Sequence, residues 1–173
     1  MKKVAIVTCS YNPESKSTAL AMLLKDHIEN ASFFSLKSLN LPFCDGDSVY
    51  SIPEIMELTE TLKLYDAFIF AVPIYNYSVN AAAKNFIEIF GECLKEKVVG
   101  IVAAAGGARS YMSVNSFSDS LRLDFRCRVV SRFVYATPGD WEDSNTPSNE
   151  IKERIAELAQ AVTSSLGSWH STN

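Results

Sequence analysis

Two kinds of segment alternate along this chain, and the alternation limits what it can fold into. Short runs are apolar at nearly every position, as in residues 4–7, 67–72 and 98–104. Between them lie segments whose apolar residues recur every three or four positions. Leu20, Leu24 and Ile28 form one such stripe, and Ile151, Ile155, Leu158, Val162 and Leu166 form another. A strand that is apolar throughout is buried on both faces, which is the pattern of a parallel sheet with helices on each side. A sheet wetted on one face would alternate apolar and polar residues instead.

The pattern predicts five strands, at residues 4–7, 31–35, 67–72, 98–104 and 129–135, with Pro73 stopping the third. It predicts five helices. They span residues 18–28, a stretch opened by Pro53 with Ile55, Leu58 and Leu62 on one face, and residues 79–90, 113–125 and 150–166. Residues 36–52 hold Asn40, Pro42, Asp45, Gly46 and Asp47 and read as a long loop. Five strands in this alternation predict an α/β, flavodoxin-like doubly wound parallel sheet of order 2-1-3-4-5. Ligands of such sheets sit outside the carboxyl ends of the strands.

At 173 residues the chain is read as a single domain, 1–173, with 167–173 frayed. Sixteen basic against 20 acidic residues leave a net charge of -4, which argues against a nucleic-acid partner. No apolar run approaches the roughly 20 residues that span a bilayer. Lys2 and Lys3 precede an apolar run too short for a signal peptide, so a cytoplasmic location is expected. Cys9, Cys44, Cys93 and Cys127 form no CxxC pair and are expected as free thiols. His27 and His170 are isolated, so no metal centre is expected.

Three loops fall at the strand ends that matter. After the first strand, residues 8–18 carry Ser10, Asn12, Ser15, Lys16 and Ser17 and run into a helix. Hydroxyls and free amides at a helix N-terminus suit a phosphate, with Lys16 as the cation. Taken alone, the loop is equally explained by Ser15 or Ser17 capping the helix. It has no glycine, which excludes a Walker A loop and the GxGxxG fingerprint. After the third strand, Pro73, Ile74, Tyr75 and Asn76 lead past Tyr77 into the next helix, where an aromatic could face a planar ligand. After the fourth, Ala105, Gly106 and Gly107 offer main chain that a ligand can approach closely or that adopts positive φ.

With these residues in view, the chain resembles the NAD(P)H-dependent FMN reductases of flavodoxin-like fold, a group that includes quinone, azo-dye and chromate reductases. The likeness rests on Ser10…Ser15-Lys16-Ser17, on Pro73-Ile74-Tyr75-Asn76 leading to Lys84-Asn85-Phe86-Ile87-Glu88, and on Gly106-Gly107-Ala108-Arg109. It implies that bound FMN carries hydride equivalents from NADH or NADPH to a small-molecule electron acceptor. It implies that the first loop holds the phosphate, the second frames the flavin ring, and Ala105, Gly106 and Gly107 present amides to its pyrimidine edge. No side-chain acid or base is required, so no catalytic residue is assigned. A homodimer or homotetramer is implied, with residues 36–52 as the contact. The chain departs from the family at Asn12, where an arginine is common, and at Cys9 and Glu14, where glycines are common. Glu14, an anion beside a phosphate, is expected to turn to solvent.

Three other readings share the architecture. Low-molecular-weight tyrosine phosphatases place a cysteine nucleophile, five residues and Arg-Ser after strand one. Here Ser15 and then Lys16-Ser17 follow Cys9, with no arginine. A flavodoxin-type electron carrier would bind FMN without using NAD(P)H directly. A receiver module needs acids after strand one and an Asp ending strand three, where this chain has Cys9-Ser10 and Val72-Pro73.

Overall fold

Burial on both faces makes the apolar runs the middle layer. The computed structural model describes residues 2–143 and 146–167. Its strands β1 (Val4–Thr8), β2 (Ala31–Ser35), β3 (Ala67–Tyr75) and β5 (Val98–Ala104) lie parallel in the order β2-β1-β3-β5. The last place in the sheet is filled by two short pieces, β6 (Arg128–Val129) and β7 (Val134–Ala136), both parallel to β5. The doubly wound order 2-1-3-4-5 is therefore present, with its fifth strand in two parts. The break falls around Ser131-Arg132, polar residues that stay exposed at this edge of the sheet. Arg132 turns out to Glu157 at 3.0 Å, and Arg154 donates to the freed Phe133 carbonyl at 3.4 Å.

Alternate residues of each strand feed two cores. Ala5, Val7, Phe68, Phe70, Val99 and Ile101 pack under α3 (Pro53–Lys63), α4 (Ala81–Phe90) and α5 (Asn115–Leu123). Val4, Ile6, Ile69, Val98 and Val102 pack under α1 (Lys16–Leu23) and α6 (Asn149–Gly167). The long loop contains a short helix, α2 (Leu36–Leu39), and a 3-10 turn at Ser48–Ser51. It is pinned from α4 by Asn85, whose amide donates to the Pro42 carbonyl at 2.9 Å and accepts from the Cys44 N–H at 2.8 Å.

Several boundaries depart from the sequence reading: α1 runs Lys16–Leu23 and passes into a 3-10 turn at Leu24–Asp26 instead of spanning 18–28, α5 spans Asn115–Leu123 instead of 113–125, and two changes fall near the strand ends. Pro73 does not stop β3, which continues to Tyr75. From Ile74 onward the strand leaves the parallel ladder and pairs with the two-residue β4 (Ser78–Val79) as a hairpin. Pro73 thus sits where strand partners change, and its carbonyl accepts from the Asn80 N–H at 3.2 Å. Val79 belongs to that hairpin rather than to the helix. The expected fraying beyond Gly167, and His170 with it, lies outside the described residues. No helix of the described residues is long and apolar enough to cross a membrane.

Candidate functional site

A cleft of about 280 Å³ opens at the carboxyl ends of the strands. It is lined by Ser10, Asn12, Glu14, Ser15, Lys16 and Ser17 from the loop after β1, by Pro73, Ile74 and Tyr75 from β3, and by Ala104, Ala105 and Gly106 after β5. Ten of the twelve residues expected from the sequence meet there. Asn76 and Gly107 do not line it, and Glu14, Ala104 and Pro138 join it.

The first loop orders itself. The Asn12 N–H donates to Ser10 Oγ at 3.2 Å, and the Glu14 N–H donates to Asn12 Oδ1 at 3.0 Å. Ser15 caps α1, its Oγ accepting from the Thr18 N–H at 3.3 Å and lying 3.0 Å from Ser17 Oγ. Both serines are buried at the helix start. Ser15 therefore caps and lines the cleft at once. The first N–H groups of a helix lack intrahelical partners, and the helix dipole adds partial positive charge there. Lys16 lines the same end, with its ammonium 4.0 Å from the centre of the Trp141 ring. Glu14 is exposed, as expected, yet it borders the cleft rather than turning away from it.

The hairpin after β3 forms the second wall. Its two turn residues, Asn76 and Tyr77, have φ of 50° and 61°. A two-residue hairpin of this kind needs the left-handed region at both positions, which asparagine tolerates and tyrosine adopts at a cost. That turn carries Asn76 out past the rim and leaves Tyr75, half-exposed, on the cleft wall.

On the third wall the glycines have a specific reason. No positive φ is used at Gly106 or Gly107, and a Cβ on either would meet no protein atom within 4 Å. Neither turn geometry nor internal packing demands glycine there. What its absence of side chain preserves is open space beside the main chain. The Ala105 N–H is already donated to the Ala136 carbonyl at 2.9 Å, so it is not free for a ligand. The N–H groups of Gly106 and Gly107 have no partner among the described residues.

Pro138 was missed because the loop after the last strand was not weighed. Its signal is Thr137-Pro138-Gly139-Asp140, in which Asp140 Oδ2 accepts from both the N–H and the hydroxyl of Thr137, each at 2.7 Å.

Cys9 is fully buried and its thiol donates to the Val7 carbonyl at 3.6 Å. Burial pushes that thiol far above its ordinary range, so it supplies no thiolate nucleophile, and a phosphatase-type reading fails at its first requirement. Among the described residues, no group of three or more His, Cys, Asp or Glu side chains is arranged to hold a metal ion.

A doubly wound parallel sheet with a cleft at its carboxyl rim, beside the N-terminus of the first helix, defines an α/β protein of the flavodoxin class. The chain belongs to the NADPH-dependent FMN reductase family, whose model matches residues 2–142. It is 29% identical over 130 residues to an NAD(P)H-dependent FAD/FMN reductase of Geobacillus thermodenitrificans, covering 73% of this chain and 70% of the relative. It is 26% identical over 141 residues to a probable NADPH:quinone oxidoreductase 1 of Oryza sativa subsp. japonica, covering 77% and 70%. An oxidoreductase from Corynebacterium diphtheriae shares the fold with a TM-score of 0.78 at 20% identity, over 98% of this chain and 99% of that one. The protein is accordingly an oxidoreductase that works with FMN and NAD(P)H.

Proposed function

We propose that the cleft at the carboxyl rim is the FMN site and that the protein passes two electrons from NADH or NADPH to a small soluble acceptor such as a quinone, an azo compound, a metal oxyanion or free flavin. The observation that carries this is Gly106: a residue on the cleft wall whose Cβ would touch no protein and whose N–H has no partner among the described residues. The donor set fits the group. Ser15, Ser17 and the α1 terminus would hold the phosphate, each hydrogen bond to a charged oxygen being worth roughly 1.5–3 kcal/mol. Pro73, Ile74 and Tyr75 would frame the ring, and the Gly106 N–H would donate to its polar edge.

Bound FMN would supply the hydride chemistry between nicotinamide and acceptor. The chain supplies position and field. Among the described residues the titratable groups lining the cleft are Glu14, Lys16 and Tyr75, and hydride transfer through FMN needs no acid or base from them, so orientation is the chain's main contribution. A main-chain donor at the ring's edge acts where negative charge grows on reduction, as in an oxyanion hole. Asn12 in place of a family arginine leaves Lys16 as the one cation on the cleft among the described residues.

The surface of the long loop supports assembly. Phe43 is 84% exposed, with Tyr50 and Met56 half-exposed nearby in sequence. A homodimer or homotetramer contacting through this loop is part of the reading. Light scattering that returns a monomer removes it.

The test of the main reading is spectroscopic. Purified protein loaded with FMN is expected to be yellow and to bleach anaerobically with NADH or NADPH. Failure to take up FMN overturns the reading. A panel of acceptors run with both nucleotides then names the acceptor and the preferred donor.

A further inference from the structure

The Gly106-Gly107 loop carries no side chains and has no packing of its own on the side where a Cβ would stand. Glycine has more backbone freedom to lose than any other residue, so something outside the loop must hold it. The hydrogen bonds identify what does. The phenolic hydroxyl of Tyr135 donates to the Gly107 carbonyl at 2.9 Å and lies 2.7 Å from Ser110 Oγ. Ser110 Oγ also donates toward the same carbonyl at 3.3 Å. One residue further along β7, the Ala136 carbonyl accepts from the Ala105 N–H at 2.9 Å. Gly106 is thus bracketed on both sides by bonds to one strand, and it is the residue that faces the cleft.

We propose that Tyr135 is a positioning residue for the flavin edge: its hydroxyl, together with Ser110, fixes the peptide after Gly107 and, with the Ala105 N–H tied to the same strand, keeps the Gly106 main chain on the cleft wall with its N–H open to the cofactor. This rests on the reading of the cleft as the FMN site.

Three observations make the assignment specific. Tyr135 is 4% exposed and belongs to the core, so its ring is fixed and its hydroxyl is the group free to serve the loop. Tyr111, carried by the same loop, packs edge-on against Tyr135 with ring centres 5.2 Å apart. The Gly107 carbonyl is engaged by hydroxyl donors, so it is not left as a loose acceptor near the acceptor-bearing edge of a flavin. The Gly107 carbonyl shares its peptide plane with the Ala108 N–H, so anchoring it fixes the peptide that follows Gly107 and, with the Ala105 bond on the other side, limits how the main chain at Gly106 can turn between the two anchors. Such supporting hydrogen bonds decide whether a binding group sits at the productive distance.

The experiment compares wild type, Tyr135→Phe and Ser110→Ala as full-length protein. It reads FMN and riboflavin affinity by flavin fluorescence, midpoint potential by dye equilibration, and melting temperature. Tyr135→Phe is expected to weaken FMN and riboflavin alike, by about tenfold. It should lower the preference for reduced over oxidised flavin, and a tenfold loss there moves the midpoint by about 30 mV in the negative direction. Ser110→Ala should act in the same direction with a smaller change, and it keeps the test open if Tyr135→Phe folds poorly. A lower melting temperature with unchanged affinities and unchanged potential reduces Tyr135 to a core residue and overturns the proposal. If wild type itself binds neither flavin, it is the FMN reading that has failed, and the two failures are thereby told apart.

Discussion

The loop after β1 and the loop after β5 face one cleft and are held in opposite ways. The first is tied by its own side chains: Ser10, Asn12 and Ser15 each close a hydrogen bond to a main-chain N–H two or three residues on. The second has no side chain at Gly106 or Gly107, and its anchor is Tyr135, 28 residues away in sequence. A segment that binds through side chains can use the same atoms to organise itself. A segment that binds through main chain has spent those atoms and must be organised from elsewhere in the fold.

The widest gap between the two loops should appear when bulk is added. Gly106→Val places methyl groups in space where no protein atom lies within 4 Å. FMN affinity is expected to fall by about a hundredfold or more while the melting temperature moves by less than about 2 °C. A variant that binds FMN normally, by fluorescence titration, removes the main-chain wall from the site.

Ser15→Ala should behave in the opposite way, because the atom that caps α1 is also the one proposed to bind. Loss of the cap costs about 1 kcal/mol of stability. Loss of a hydrogen bond to phosphate weakens FMN by about tenfold or more, and riboflavin, which has no phosphate, is unaffected. Equal weakening of both flavins would place the phosphate elsewhere.

Glu14 offers a gain rather than a loss. Glu14 borders the cleft together with Lys16. Glu14→Gln is expected to tighten FMN by about threefold at low ionic strength, leave riboflavin unchanged, and lose the advantage as salt screens the charges. A salt-independent effect would argue for contact rather than charge.

The smallest effect concerns a third loop that, like the first, is pinned locally. Asp45 accepts from the Ser48 hydroxyl and from the N–H groups of Asp47 and Val49, at 3.0 Å and 3.1 Å for the two N–H bonds. Those bonds, the Ser48 hydroxyl first, lower its carboxyl from 3.8 to about 2. A depressed folded value means its contribution is complete above pH 3.8 and is lost as the pH falls through about 2. Acid unfolding of Asp45→Asn should therefore run closer to wild type near pH 2 than near pH 5. A constant difference across that range would deny the carboxylate its role.

The same contrast explains what the sequence made legible. The loop after β1 was readable as a helix entry because its hydroxyls sit beside the helix, and Ser15 does cap it. The parallel sheet was readable because burial on both faces shows in every residue of residues 67–72 and 98–104. Tyr135 was not, since nothing near it in sequence points to Gly107. Val79 fitted the helical spacing of Ala83, Phe86 and Phe90 but is taken by the hairpin, whose existence depends on two residues accepting positive φ. Lys16 was assigned by charge, and nothing near it in the chain signalled that Trp141 stands beneath it.

The split last strand bears on how separate copies of the chain meet. Along that margin the main chain offers two residues in β6 and three in β7, with a charged kink between them. A neighbour seeking to zip onto it finds no unbroken stretch to copy, which is how natural sheets discourage templated, fibril-like growth. Straightening Ser131-Arg132 into an apolar pair would remove that guard.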